Sequence, residues 1–297
     1  MSPHHVDVSQ EQQPAASSSA TGNDSEQRPV IVIIPGAWHH PVHYKQLAKG
    51  LRQLGFVVEV IELVTMGEPD AILNRTHHDD VKVVRATIQP HLDAGREVVL
   101  VGHSYGGFVA TDVAAGYTVE DRRKSAVSGD GLEGAGQNGS GGVKAVVYIA
   151  SPAAVEKGVG VLASVEQIKG DAEVSIDGLV IIENGVMRRT EESRNSLYRG
   201  VDEKLAKEAF AATSPYHSCA SYMSEAAACA CHLRAPLTYV ITGDERFIMS
   251  PPVQHKIADS MGPRCKKHVL QGAGHAPWMQ PELLPRLLDI IKGAAQG

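Results

Sequence analysis

The chain has 297 residues, of which 43% are hydrophobic and 21% charged, and its formal net charge at pH 7 is -6. This composition is that of an ordinary globular protein, and it disfavours binding to nucleic acid or to an anionic membrane surface. Four cysteines are too few for a disulfide scaffold in a chain of this size. Because the polar N-terminus also lacks the apolar region of a signal peptide, we expect a cytoplasmic protein that makes no membrane contact. The oligomeric state is left open.

Strand and helix patterns alternate through the first half of the chain. Residues 1–28, rich in Ser, Gln, Ala and Pro, have too little apolar content to fold and are predicted to be a disordered tail. The β-branched run at 30–34 is typical of a strand buried on both faces, and apolar residues recur at helical spacing from 42 to 54. The alternation continues with a strand at 56–61, an amphipathic helix around 81–92 and a strand at 98–101.

The second half contains two predicted insertions. Residues 125–142 are rich in glycine, serine and polar residues and are expected to be a mobile surface segment. Residues 153–234 separate two strands and contain a hairpin signal at Asn184-Gly185; we expect this part to be a helical lid over the sheet. The remaining strands are predicted at 143–150, 236–242 and 266–270, and helices are predicted at 190–212, at 217–233 and at the C-terminus.

These elements predict an α/β fold with a mainly parallel, doubly wound sheet of about six strands. Its core comprises residues 29–152 and 235–297, and the inserted lid comprises residues 153–234. Ligands of such sheets bind where the strands end at their carboxyl edge, so candidate functional residues are sought there.

One such strand end carries the sequence Gly102-His103-Ser104-Tyr105-Gly106. The apolar strand before it and the small-residue helix after it are the context in which G-x-S-x-G forms a sharp turn that exposes a nucleophilic serine. Glycines on both sides leave room for the strained corner. We therefore predict that Ser104 is a nucleophile.

A serine hydroxyl needs a histidine base, and that histidine needs a carboxylate to orient it. His275 follows the last predicted strand, and Asp244 follows the strand at 236–242 through one glycine. The predicted catalytic residues are therefore Ser104, Asp244 and His275, in the chain order of hydrolases with a nucleophile elbow. Glu245 is adjacent to Asp244 and is the alternative acid, although it lies one residue further from the strand.

An oxyanion that develops on the substrate needs two hydrogen-bond donors. The backbone N–H of Tyr105, directly after the nucleophile, is one predicted donor, and the backbone N–H of Ala37, after the first strand, is the other. Trp38 and His39 follow this loop and His103 precedes the nucleophile, so these three are candidate substrate-binding residues.

Four segments together resemble the α/β-hydrolase superfamily, and in particular its small branch of plant methylesterases and related hydroxynitrile lyases. They are Pro-Gly-Ala-Trp-His at 35–39, Gly-His-Ser-Tyr-Gly-Gly at 102–107, Thr-Tyr-Val-Ile-Thr-Gly-Asp at 238–244 and Gly-Ala-Gly-His at 272–275. Members of that branch usually have His-Gly where this chain has Pro35-Gly36. The resemblance implies hydrolysis of small esters. The lyases have lysine after the catalytic histidine and threonine in the first loop, where this chain has Ala276 and Gly36.

We therefore expect a serine hydrolase that acts on a small-molecule ester, thioester or lactone without a cofactor. A lyase or carbon–carbon bond-cleaving enzyme with the same catalytic residues, and a non-catalytic ligand receptor, remain alternatives. A metal site is not expected at Cys229, Cys231 and His232, because residues two apart on a predicted helix point to different sides. The polar run His77-His78-Asp79-Asp80 is expected to be a solvated helix start.

Overall fold

The computed structural model describes residues 28–128, 141–172, 176–247 and 249–297. The predicted tail, apart from Arg28, and residues 129–140 of the predicted glycine-rich segment lie outside the described residues. Among the described residues, no helix combines the length and apolar character needed to cross a lipid bilayer.

The main sheet has six parallel strands within the described residues. Its strands are β1 (Val30–Ile34), β2 (Val58–Val60), β3 (Glu97–His103), β4 (Gly142–Ile149), β8 (Leu237–Thr242) and β9 (Cys265–Leu270). Their spatial order is β2-β1-β3-β4-β8-β9, so the chain reverses its winding direction between β1 and β3. Ligands bind at such a reversal in open α/β sheets.

Helices cover both faces of this sheet. They are α1 (Lys45–Gln53), α2 (Pro69–Ile72), α3 (His77–Asp93), α4 (Tyr105–Ala114), α5 (Val119–Ser128), α10 (Pro251–Ser260) and α11 (Leu284–Gln296). Every residue of β1 and of α4 is buried, which explains why their sequences are apolar or small without alternation. The α/β fold and the six-stranded sheet are those expected from the sequence.

The segment between β4 and β8 forms a second, antiparallel sheet. Its strands are β5 (Val180–Glu183), β6 (Val186–Arg189) and β7 (Tyr216–Ser218), and its helices are α6 (Val161–Lys169), α7 (Glu192–Leu197), α8 (Glu203–Ala211) and α9 (Cys219–Met223). The hairpin signal at Asn184-Gly185 is confirmed, since both residues have positive φ between β5 and β6. We call residues 153–234 the insertion.

Two predicted helices of the insertion are wrong in extent. The helix predicted at 190–212 is divided near Gly200, which has φ of 78°, and α8 begins after Asp202, whose carboxylate accepts two backbone N–H groups. The helix predicted at 217–233 is largely absent, because Asp112 and Val159 accept backbone N–H groups from residues 226–228. Tertiary partners therefore satisfy the backbone groups that a helix would have paired internally.

Candidate active site

Ser104 occupies a strained corner between β3 and α4. Its φ of 50° is in the left-handed region, which a serine adopts only where the surrounding structure imposes it. The corner closes tightly, because a Cβ on Gly102 would overlap the backbone of Gly107 and a Cβ on Gly106 would overlap the carbonyl of Ile34. The glycines of the motif are therefore required by close backbone approach, and they allow Ser104 to sit at the end of β3.

His275 lies on the loop after β9 and contacts a carboxylate from the loop after β8. The distance from His275 Nδ1 to Glu245 Oε2 is 2.8 Å, and both side chains are buried. An ionised carboxylate only accepts hydrogen bonds, so Nδ1 carries the proton and Nε2 keeps the lone pair that a general base needs. This pair therefore has the tautomer required to deprotonate a hydroxyl.

The carboxylate at His275 belongs to Glu245 and not to Asp244, the acid predicted from the sequence. The backbone N–H of Asp244 donates to the carbonyl of Ala273, and its carboxylate faces outwards to Arg199 at 2.6 Å and Arg246 at 3.1 Å. The turn after Thr242 thus directs residue 244 to the surface and residue 245 inwards.

A buried hydrogen-bonded network holds Glu245 in place. Its Oε1 accepts the backbone N–H of Phe247 at 2.6 Å, and its Oε2 lies 3.5 Å from the hydroxyl of Thr242. Thr242 in turn is fixed by Gln254, whose side-chain amide contacts both the backbone and the hydroxyl of that threonine. A carboxylate held from several sides keeps one orientation, and it transmits that orientation to the imidazole.

The loop after β1 passes close to Ser104. A Cβ on Gly36 would lie 3.0 Å from Ser104 Cβ, and the neighbouring Ala37 is buried. Tyr105 is the first residue of α4, so its N–H has no carbonyl four residues earlier in the helix. The two predicted oxyanion donors thus belong to segments that meet at the serine.

Trp38 keeps this loop in a fixed conformation. Its φ is 63°, and its indole N–H donates to the carbonyl of Met187 on β6 at 3.2 Å. Its own carbonyl accepts the N–H of Ser214 at 2.9 Å. The side chain predicted to bind substrate therefore joins the first loop to the insertion.

A chain of hydrogen bonds connects the first loop to the histidine loop. Gly36 N–H donates to the hydroxyl of Tyr44 at 2.9 Å, that hydroxyl lies 2.7 Å from His103 Nδ1, and His103 Nε2 lies 3.0 Å from the carbonyl of His275. Because a carbonyl only accepts, His103 is protonated on Nε2, and Tyr44 therefore donates to Nδ1. Burial, followed by the neighbouring His275, lowers the pKa of His103 well below its usual value, so this imidazole is neutral.

His39 and His103, two of the predicted substrate-binding residues, are buried beneath the site. His39 Nδ1 lies 2.7 Å from the carbonyl of Ala37, and its Nε2 lies 3.1 Å from the Tyr198 hydroxyl. Burial, followed by the neighbouring His43, lowers its pKa well below the usual value. Both ring nitrogens of each histidine contact protein atoms. These side chains therefore pack behind the site and do not face a ligand.

Ser104 and His275 line one cavity of about 180 Å³. Its other walls are mostly apolar and come from the turn at Ser104, from the loop after β4, from the insertion and from the loop after β8: Tyr105, Pro152, Val161, Leu162, Val165, Glu166, Ile176, Tyr222, Phe247 and Met249. Of these wall residues, Tyr105 is the one that was predicted from the sequence to belong to the site. The apolar i, i+4 pair at 161 and 165 is a sequence signal that would have indicated a helix here, but no helix was predicted in this part of the insertion.

A buried carboxylate lies on the far side of Tyr105. Asp80 Oδ2 accepts the hydroxyls of Tyr105 at 2.8 Å and Thr65 at 2.7 Å, and Oδ1 accepts the N–H of Val64 at 2.8 Å. Burial raises the pKa of Asp80 to about 6, although its hydrogen bonds lower it. His77 is likewise buried against Asp112 at 2.9 Å, so the helix start at 77–80 is not the solvated face that we expected.

Cys229 and Cys231 form a disulfide, with their Cα atoms 5.3 Å apart. They lie at the start of a 3-10 turn outside any α-helix, so the reason given above for discounting a shared metal does not apply. In the oxidised pair, however, neither sulfur is a thiolate, which is the form that binds metal ions.

Two known proteins are similar to this chain over most of its length. The chain is 26% identical over 273 residues to an alpha/beta hydrolase, nvfD, of Aspergillus novofumigatus, covering 90% of this chain and 98% of that protein. A probable hydrolase, R7, of a Phoma species is also 26% identical, over 90% of this chain and 99% of that protein.

Solved structures with the same fold include an extracellular alpha/beta-hydrolase from a Paenibacillus species. That structure has a TM-score of 0.64 and 19% identity over 91% of this chain and its own full length. Polyneuridine aldehyde esterase has a TM-score of 0.62 and 13% identity over 90% of this chain and its own full length. A model of the alpha/beta hydrolase family matches residues 31–285, and the chain therefore belongs to that family.

Proposed function

We propose that the protein is a serine hydrolase that cleaves an apolar ester, thioester or lactone through an acyl-enzyme. Ser104 is the nucleophile, His275 the general base and acid, and Glu245 the carboxylate that orients the histidine. The observation that carries this proposal is the buried 2.8 Å contact between Glu245 and His275, beside a cavity that Ser104 also lines.

The reaction proceeds in two balanced halves. Ser104 Oγ bonds to the substrate carbonyl carbon while His275 Nε2 takes the hydroxyl proton; the bond to the leaving group then breaks, and His275 returns that proton to the leaving oxygen or sulfur. In the second half, water adds to the acyl carbon with His275 as base, and the released serine oxygen recovers a proton. The imidazolium formed in each half is stabilised by Glu245.

The backbone N–H groups of Ala37 and Tyr105 are proposed as the oxyanion donors. Support comes from the close approach of the Gly36 loop to Ser104 and from the unpaired position of the first N–H of α4. Loss of one such donor typically lowers kcat by about 10²–10³-fold, so rigid placement of this loop matters for the rate. The anchoring of Trp38 by Met187 supplies that rigidity.

The cavity walls favour an uncharged, apolar substrate. Among the described residues that line the cavity, other than Ser104 and His275, Glu166 is the one with a charged side chain. It lies on the solvent-exposed side of α6. The insertion, which supplies the helix α6, is proposed to act as the lid. The esterase named among the similar structures supports ester cleavage as the reaction.

Labelling with a fluorophosphonate tests the nucleophile directly. We expect the probe to attach to Ser104, as seen by mass spectrometry of the labelled peptide, and we expect the Ser104→Ala variant to remain unlabelled while it keeps the wild-type circular dichroism spectrum. Turnover of p-nitrophenyl acetate should disappear in the same variant. A folded wild-type protein that is neither labelled nor active would contradict the proposal, whereas labelling without ester turnover would favour the lyase or receptor alternatives.

A further inference from the structure

Helix α6 lines two neighbouring, mostly apolar spaces. Val161 and Val165, one turn apart, line the cavity that contains Ser104, whereas Ala163 lines a second space of about 400 Å³ on the other side of the helix. Leu162 and Glu166, again one turn apart, line both spaces. Because successive residues of a helix are about 100° apart, these neighbouring stripes make one continuous surface that leads from the inner cavity to the outer space.

We call this second space the outer groove, and its walls are Gly160, Leu162, Ala163, Glu166, Tyr222 and Met223. Tyr222 also lines the inner cavity, where its ring stacks on Tyr105 at 5.2 Å. The two spaces therefore share wall residues from two helices, α6 and α9. The shared residues show that the outer groove and the inner cavity are direct neighbours.

The size of the inner cavity indicates why an extension is needed. At about 180 Å³ it is smaller than the roughly 300–1,000 Å³ typical of sites that bury a drug-sized ligand. Together with the outer groove it falls within that range. A substrate with a long apolar arm therefore needs space beyond the inner cavity, and the outer groove is the neighbouring space that α6 also lines.

The residues that line the outer groove determine which kind of chemical group can bind there. Leu162 is 39% exposed and Met223 68% exposed, so two large apolar side chains face solvent beside the site. The charge of Glu166 is opposed by Lys169, 3.3 Å away on the same helix. Methionine adapts to apolar ligands of varied shape. An anionic chain end would face the Glu166 carboxylate, and a neutral apolar chain would cover Leu162 and Met223.

We propose that the outer groove binds the long, uncharged apolar arm of the substrate ester, whose carbonyl group lies at Ser104. This inference rests on the proposed function and names its substrate class: esters with one short and one long apolar arm. Ala163 is the residue that tests it, because its side chain lines the groove but not the inner cavity and is exposed enough to be enlarged.

The test uses two series of esters and a pair of matched variants. Methyl esters of acids from two to ten carbons, and acetates of alcohols from one to ten carbons, are hydrolysed in a pH-stat. We expect kcat/KM of the wild type to rise with chain length in one series. In Ala163→Trp the value for the ten-carbon member falls by about tenfold or more, and that for methyl acetate stays within about twofold.

Gln167→Trp is the control, since residue 167 lies one helical turn after Ala163, is exposed and lines neither space. It should keep the wild-type chain-length profile. The inference is overturned if the wild type shows no chain-length preference in either series. It is also overturned if the Ala163→Trp variant keeps the wild-type preference. In both cases, hydrolysis of methyl acetate would leave the proposed function intact.

Calorimetric binding of 1-decanol to Ser104→Ala tests the groove independently of turnover. We expect decanol to bind more tightly than 1-butanol, and the double variant with Ala163→Trp to lose about tenfold in decanol affinity. Equal binding of both alcohols contradicts the inference even if no ester is hydrolysed.

Discussion

The position of one carboxylate decides which residue completes the site. Asp244 and Glu245 are adjacent, yet the first is held at the surface by two arginines and the second is buried against His275. A partly exposed carboxylate among surface cations contributes little beyond local ion pairing, while a buried one that accepts the Nδ1 proton fixes the tautomer of the imidazole. Substituting each of the two adjacent acids in turn therefore separates the effect of the buried carboxylate from that of the exposed one.

We expect Glu245→Gln to lower kcat for p-nitrophenyl acetate by about 10³–10⁴-fold, because an amide does not stabilise the imidazolium and can favour the wrong histidine tautomer. Asp244→Asn removes an equivalent charge one residue away and should keep kcat within about twofold of the wild type. Steady-state kinetics of both variants, with thermal unfolding as the fold control, decide the matter. Comparable losses in the two variants would show that Glu245 has no special role.

A chain of hydrogen bonds joins the loop after β1 to the loop that contains His275, and it determines how precisely these two loops are positioned. The hydroxyl of Tyr44 receives the Gly36 N–H and donates to His103, which supports the His275 carbonyl. Tyr44 and His103 are fully buried and line neither the inner cavity nor the outer groove. We therefore propose that they are positioning residues, which hold the first loop and the His275 loop at a fixed distance.

Tyr44→Phe removes this hydroxyl and leaves the Gly36 N–H and His103 Nδ1 without their partner. We expect kcat to fall by about ten- to a hundredfold with KM nearly unchanged, since a misplacement of about 1 Å at the reacting atoms can lower the rate about a hundredfold. Stopped assays over a range of substrate concentrations separate the two constants. A change confined to KM would contradict a positioning role.

Tyr148→Phe is the matched control. Its hydroxyl is also buried and contacts the Thr111 hydroxyl at 3.0 Å, beneath α4 and away from the first loop. Both variants lose a buried hydroxyl, with an expected stability loss of about 1–3 kcal/mol, but only Tyr44→Phe should alter kcat. A parallel fall of kcat in both would indicate a general loss of rigidity.

At the scale of the whole molecule, local patterns predicted the sheet but not the tertiary contacts of polar residues. The apolar runs and the helical spacing between them placed the strands, and strand ends placed Ser104 and His275 at one edge. The sequence did not determine which of two adjacent acids turns inwards, because the turn after Thr242 is fixed by contacts with Gln254 and Ala273. The same reason applies to Asp80, whose burial depends on Tyr105 and on the loop after β2.

Asp80 makes the stability of the fold dependent on pH. Its pKa of about 6 in the folded protein lies above its ordinary value of 3.8, so the folded state keeps this proton at a pH where the unfolded chain has lost it. The stabilisation due to the proton is therefore complete below about pH 4 and is lost as the pH rises through 6. The shift corresponds to about 3 kcal/mol in the free energy of unfolding.

Asp80→Asn does not titrate, so its comparison with the wild type isolates this contribution. We expect the free energy of unfolding of the wild type, minus that of the variant, to fall by up to about 3 kcal/mol between pH 4 and pH 7. Urea unfolding at several pH values measures both quantities, and titrations shared by the two proteins cancel in the difference. A difference that stays constant or rises over this range contradicts the assignment.

Asp79→Asn provides a control of opposite sign at the neighbouring position. The backbone N–H of Thr76 holds the pKa of Asp79 below its ordinary value, because it donates to the ionised carboxylate at 3.0 Å. The stabilisation due to this ionised group is present above its ordinary pKa and is lost as the pH falls through its lowered value. The two neighbouring aspartates should thus change stability in opposite directions with pH, which follows from burial at Asp80 and helix capping at Asp79.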